Sequence, residues 1–263
     1  MLGKLLKYDL KWTYKLLIIF YLLAVFFAIT GRILTDIENS FILNIIGEIC
    51  IGVTIAMIVN IIINSLMRSW VRFTRNLYKD ESYLTHTLPV SKNTIYMSKI
   101  LSGIISIFTS CITIVICLLI CYYTKENIES LKSSLQIVAN TYDSTIFSLL
   151  LTLANTVFLE ILFILFVGYL GIIVGHKSNN KKIIKSIIYS YVFYIATNGI
   201  TLLGIYIWGI FNSDIMNLFN TVSAPNINII KHILYGGMAL YVIYIISYYF
   251  IGKKQFEKGV NVD

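Results

Sequence analysis

Side chains able to do chemistry are sparse in this chain of 263 residues, and their spacing excludes most reactions. Asp80 and Glu81 stand side by side in the polar stretch "YKDESYLTHTLPVSK" (78–92), between two apolar runs. Glu48 and Glu160 are solitary carboxylates inside apolar runs. His86, His176 and His232 are scattered, and no CxxC or HExxH pattern occurs, so no metal site is expected. Cys50, Cys111, Cys117 and Cys121 all lie in apolar segments; Cys117 and Cys121 sit one helical turn apart, a spacing that suits packing rather than a disulfide. A phosphate-binding GxxxxGK[ST] loop is missing, since Gly3-Lys4 and Gly252-Lys253 lack the following Ser or Thr. With no paired Asp, Ser–His or metal-ligand constellation, the chain is expected to be neither an enzyme nor the holder of a cofactor.

What must position these few groups is apolar. The chain is 57% hydrophobic and 13% charged, with a mean hydropathy of +0.79. A soluble domain carries about 25% charged residues, so this surface has to be covered by lipid. Six runs reach the roughly 20 residues that cross a hydrocarbon core of about 30 Å: 16–34, 41–67, 100–122, 145–175, 186–211 and 229–251. Pro89 and Pro225, the two prolines, fall between runs, so the spans are predicted to be unkinked helices. The alternating ten-residue pattern of a transmembrane barrel is missing. The first run lacks a cleavage site and is read as a retained span rather than a signal peptide. The expected fold is one all-α transmembrane domain over 1–263, with six spans.

Basic residues orient it. With the N-terminus inside, 17 of the 21 Lys and Arg fall on the inner side: four in 1–15, six in 68–99, and the rest in 177–185 and 253–258. That asymmetry puts both termini in the cytoplasm. It also accounts for the +8 charge without nucleic acid. Lys4, Lys7, Lys11 and Lys15 share one helical face, opposite Leu5, Leu6, Trp12 and Leu16. Residues 1–15 are therefore expected to form an amphipathic helix in the membrane interface. Asp9 projects from the apolar side: either the helix is seated against protein, where Asp9 finds a basic partner, or it frays and Asp9 reaches water.

Polar groups at membrane depth are costly and mark a pathway or a structural contact. Glu48 and Glu160 are candidates for a translocation path, with Asn44, Asn155 or Thr156 as possible hydrogen-bonding neighbours. Asn60 and Asn64 form a stripe with Arg68 at four-residue spacing, and Tyr194, Asn198 and Thr201 form another in the fifth run. Both stripes must face protein or water rather than lipid. Gly168, Gly171 and Gly175 permit close helix contact. Segment 123–144 is polar and of mixed charge, and 212–228 suits a short helix dipping toward the membrane.

The segment 68–99 is longer than a turn requires. Arg68, Arg72 and Arg75 extend the second span as a basic helix; Asp80, Glu81, Tyr83 and Leu84 then form an acidic-aromatic knuckle, and Ser91 is placed to cap the third span. Such a knuckle is either a solvated loop or a docking surface with an aromatic anchor and complementary charge. The stretch "YKDESYLTHTLPVSKNTIYMSKILSGI" resembles a pattern, DE-x-YL-x-x-TLP-V-S followed by a Lys opening the third span, of bacterial ABC transporter permeases of the ABC-2 type. The N-terminal helix and the six spans are similar to that family along the whole chain.

The resemblance implies a half-transporter in the bacterial cytoplasmic membrane. It would pair with a second permease subunit, as homo- or heterodimer, and receive an ABC ATPase subunit at the segment between spans two and three. ATP and Mg would then belong to the partner ATPase. Asp80, Glu81, Tyr83 and Leu84 match the family's coupling positions. Similarity to Gram-positive members implies export of an amphipathic or antimicrobial peptide, a drug or a lipid-like molecule. The competing readings are an immunity or sensing subunit that binds peptides without transport, and an ion-coupled carrier or channel. The last should show Gly/Pro-broken spans at matching repeat positions, and none are present.

Overall fold

The computed structural model describes residues 1–37, 40–79, 81–216 and 227–259. Among them every element is an α-helix, and six are long and apolar enough to cross a membrane. In chain order they are α1 (Leu2–Thr35), α2 (Phe41–Tyr78), α3 (Ser82–Thr87), α4 (Lys92–Tyr122), α5 (Lys125–Thr141), α6 (Ile146–Gly175), α7 (Lys182–Phe211), α8 (Ser213–Met216) and α9 (Ile227–Glu257). The spanning six are α1, α2, α4, α6, α7 and α9. Three of these starts are capped by a side chain, Ser91 as expected from the sequence. The hydroxyls of Ser40, Ser91 and Thr145 accept from the backbone N–H of Leu43, Thr94 and Ser148 at 3.4, 3.3 and 3.2 Å.

The chain divides into two compact units, Met1–Ser130 and Leu131–Asn261, with the boundary inside α5. In the first, α1 packs along α2 and α4, and α2 against α4. Ala24 and Ala28 of α1 meet Ile61 of α2 and the free thiols Cys117 and Cys121 of α4 in a fully packed centre. Gly31 and Gly47 let α1 and α2 cross closely: a Cβ on Gly47 would lie 2.9 Å from the Thr35 nitrogen and 3.1 Å from the Gly31 carbonyl oxygen.

Residues 1–15 are not a separate helix. They continue into the first span as one helix of 34 residues, because no Pro interrupts them and the same face stays packed: Asp9, Thr13, Leu17, Ala24, Ala28 and Gly31 are all buried along it. Lys4, Lys7, Lys11 and Lys15 are exposed on the other side.

In the second unit α6 is the central helix, flanked by α7 and α9. Gly171 and Gly175 are contact points. A Cβ on Gly175 would sit 2.4 Å from the Ser186 nitrogen, and one on Gly171 2.7 Å from that of Ser190. His176 closes this end, with its Nδ1 2.9 Å from the Ile172 carbonyl and 3.2 Å from the Ser186 hydroxyl. The dipping helix expected at 212–228 is described only over α8; residues 217–226 lie outside the described residues.

Candidate functional site

At 1.5 Å per residue, the 38 residues of α2 run about 57 Å, well beyond a core of about 30 Å. The overhang carries Arg68, Arg72 and Asn76 on one face at four-residue spacing. Arg72 is the hub. Its Nε donates to Asp9 Oδ1 of α1 at 2.9 Å, and its Nη1 donates to Glu81 Oε2 at 2.6 Å. Lys99 of α4 donates from Nζ to the same Asp9 oxygen at 2.5 Å, while the Ser98 hydroxyl donates to Asp9 Oδ2 at 3.0 Å. Asn76 Nδ2 completes the set, donating to Glu81 Oε2 at 3.0 Å. Two carboxylates and two cations thus form a neutral knot joining α1, α2, α4 and the residue that opens α3.

The knot is dry at its centre. Asp9 is 1% exposed and Lys99 3%. Arg68 braces it from one side, donating to the Trp12 and Thr13 carbonyls at 2.7 and 3.0 Å, with its guanidinium 4.3 Å from the Trp12 ring centre. Phe73 and Tyr96 seal it in an edge-to-face pair at 6.3 Å. Burial pushes the Glu81 carboxyl up, but the Asn76 hydrogen bond and the Arg72 charge outweigh that effect and hold it below its ordinary range.

Above the knot sits α3. Ser82 and Thr85 face inward, and the Thr85 hydroxyl donates to the Glu81 carbonyl at 2.9 Å. His86 Nε2 lies 3.1 Å from the Leu77 carbonyl. Tyr83 and Leu84 point outward, 76% and 68% exposed. Of the four knuckle positions singled out in the sequence, Tyr83 and Leu84 are therefore presented at the surface. Glu81 is engaged within the chain, and Asp80 lies outside the described residues.

The path candidates separate into groups. Asn64 Nδ2 donates to the Asn60 carbonyl at 3.0 Å and also to the Asn60 side chain, so these two satisfy each other within α2. Glu48 is exposed on α2, about three helical turns before Asn60. Tyr194, Asn198 and Thr201 on α7 come together beside Phe163 of α6 and Tyr244 of α9. Glu160 is one turn before Phe163 and exposed. The hydrogen bonds considered for Glu48 and Glu160 with Asn44, Asn155 or Thr156 are not among those described; Thr156 instead donates to the Thr152 carbonyl at 2.8 Å.

A basic partner for Asp9 was one of two outcomes open in the sequence, and the partner was not identified. Arg72 entered as part of the basic extension of the second span and Lys99 as topological charge; in the structure both are buried beside Asp9. No family model, curated protein or solved structure matches this chain. Geometry therefore carries the functional reading.

Proposed function

We propose that the chain is the membrane permease subunit of an ATP-driven exporter of the ABC-2 type, gripped at α3 by a separate ATPase subunit. One observation supports this reading most strongly. A short helix with an exposed Tyr-Leu pair is tied through Glu81 and Arg72 to three long membrane-type helices at once. A solvated loop needs no such anchorage. A docking knob that must move the helices behind it does.

Tyr83 and Leu84 supply the apolar anchor, and Asp80 adds charge where the partner is basic. In this reading both termini and α3 lie in the cytoplasm of a bacterial cell, and a second permease subunit completes the path. ATP and Mg are held by the ATPase. Cargo is an amphipathic or antimicrobial peptide, a drug or a lipid-like molecule.

The test is co-purification of the full chain with ATPase subunits encoded beside it. Tyr83→Ala with Leu84→Ala removes exposed side chains that the fold does not use. Retained ATPase should fall at least tenfold, with the elution profile of the permease itself unchanged. Undiminished retention sinks the assignment.

A further inference from the structure

In the second unit, three helices bring their midpoints to one place. Glu160 is the fifteenth of the 30 residues of α6, Thr197 the sixteenth of the 30 of α7, and Tyr241 the fifteenth of the 31 of α9. For helices of this length the middle is the least polar depth of a bilayer. Phe163 is 1% exposed there. The rings of Tyr241, Tyr194, Tyr244 and Tyr248 surround it with centres 5.5, 6.0, 6.1 and 6.1 Å away.

A cavity of about 90 Å³ opens against this cluster, with Asn198, Thr197, Thr201, Tyr241 and Tyr244 in its wall. That is room for about three waters, at about 30 Å³ each. Its polar edges are not neutral in sense. The Thr201 hydroxyl donates to the Thr197 carbonyl at 3.0 Å, so it accepts from Tyr244, 3.0 Å away. Tyr244 has then spent its proton and offers lone pairs. The wall presents acceptors and aromatic faces.

Glu160 adds a charge the chain does not balance. It is the only charged residue in α6; the Lys of α7 are confined to its first turn, and those of α9 lie near its two ends. Among the described residues no ion pair includes it. On α6 it stands one helical turn before Phe163, beside the ring cluster; its side chain is exposed and is not part of the cavity wall itself. An acidic group beside stacked aromatic faces, at a depth where an unpaired charge is costly, has the chemistry of an ammonium cage.

We propose that this cavity binds the cationic head of an organic ligand, a primary ammonium or guanidinium group, with Glu160 as counter-charge and the rings around Phe163 as walls. The site rests on the permease reading only in calling that cation cargo.

The test uses the full chain in nanodiscs with no ATPase present, titrated calorimetrically with phenethylammonium and, in parallel, with neutral phenethyl alcohol. Partition into lipid is common to both probes. Saturable binding should be seen for the ammonium alone. Glu160→Gln should weaken it at least tenfold while leaving the alcohol isotherm unchanged. Gly237→Val should weaken it too: Gly237 lines the cavity, and a Cβ there meets nothing within 4 Å, so the added side chain fills space without disturbing packing. Identical isotherms for the two probes, or full affinity in Glu160→Gln, would overturn the proposal, leaving the cavity to water and Glu160 to a proton. Loss of this site with ATPase association intact would mean a permease whose cargo binds elsewhere. The reverse result would leave a cation-binding membrane protein without this motor.

Discussion

Replacing Asp9 by Ala tests whether the knot is structural glue or an incidental cluster. At an effective dielectric constant of 20, contacts at 2.5 and 2.9 Å are each worth about 6 kcal/mol gross. Desolvating three ions costs several kcal/mol apiece, so the intact arrangement contributes little net stability. Deletion is not symmetrical with formation. Without Asp9 the four-charge set becomes +1, and Lys99, 3% exposed, is left facing Arg72. Removing one partner of a buried pair costs about 3–5 kcal/mol. For a chain of this size that corresponds to about 6–20 °C in melting temperature. The assay is the thermal loss of monodisperse protein in detergent, parent against Asp9→Ala at one heating rate, so that any irreversible step weighs equally on both. A second variant separates charge from shape: Asp9→Leu with Lys99→Met leaves the Arg72–Glu81 pair balanced and should melt within about 2 °C of the parent, because apolar replacement of buried ions is near neutral. If Asp9→Ala alone melts within about 1 °C of the parent, the burial argument is wrong.

Glu81, held below its ordinary range, stabilises the fold above the unfolded carboxyl value of about 4.3 and loses that contribution as pH falls through its lower folded value. Melting temperatures stepped from pH 7 to pH 3 should therefore converge between parent and Glu81→Gln at the acid end, and a constant gap would refute the assignment. Gly175→Ala drives a methyl group into the Ser186 backbone, 2.4 Å away at the nitrogen and 2.5 Å at Cα, and should cost about 1–3 kcal/mol, read as a lower melting temperature. Ser91→Ala removes the cap at the start of α4 and should cost about 1 kcal/mol in the same assay, with no change in the ligand isotherms.

Hydropathy located the spanning helices because the bilayer imposes length and apolarity on every segment that crosses it. The expected starts at 41 and 145 differ from Phe41 and Ile146 by at most one residue. Ends were less legible. The second run stops being apolar at 67; the spacing of Arg68, Arg72 and Arg75 already carried the helix past it, but the end at Tyr78, where Arg72, Asn76 and Tyr78 are packed by neighbours, is one no local pattern reveals. The polar segment 123–144 gave no apolar signal and still forms α5, begun where the Thr124 hydroxyl accepts from the Asn127 backbone at 3.0 Å. Asp9 shows where single-sequence reasoning reaches its edge. Its angular position left a choice between a cation and water; Lys99 is 90 residues away in the chain, and only folding brings the two together. The α7 stripe was visible as spacing; the Phe163 ring that organises it was one phenylalanine among 15.

A knob can drive a membrane helix only if the link between them is stiffer than the helix contacts it must displace. Load on Tyr83 and Leu84 reaches α2 through the Glu81 pairing, 2.6 Å to Arg72 and 3.0 Å to Asn76. The same Arg72 carries it to α1 through Asp9, and Asp9 hands it to α4 through Lys99. Breaking the Asp9 contacts leaves a buried charge uncompensated, which resists sliding of the three helices past one another singly at this end. At the far end Gly31 and Gly47 hold α1 and α2 at backbone distance, where even a Cβ has no room. Tyr21 adds a hydroxyl contact of 2.7 Å to Ser110 between α1 and α4. Tied at both ends and along the middle, the first unit has to respond to a push on α3 as one body, with hinge-like rather than shear-like motion. If the proposed permease reading holds, Asp9→Ala should uncouple ATP hydrolysis by the partner from transport when assayed below its melting temperature, with ATPase association retained; loss of association instead would mean that the knot shapes the knob and does not transmit its load.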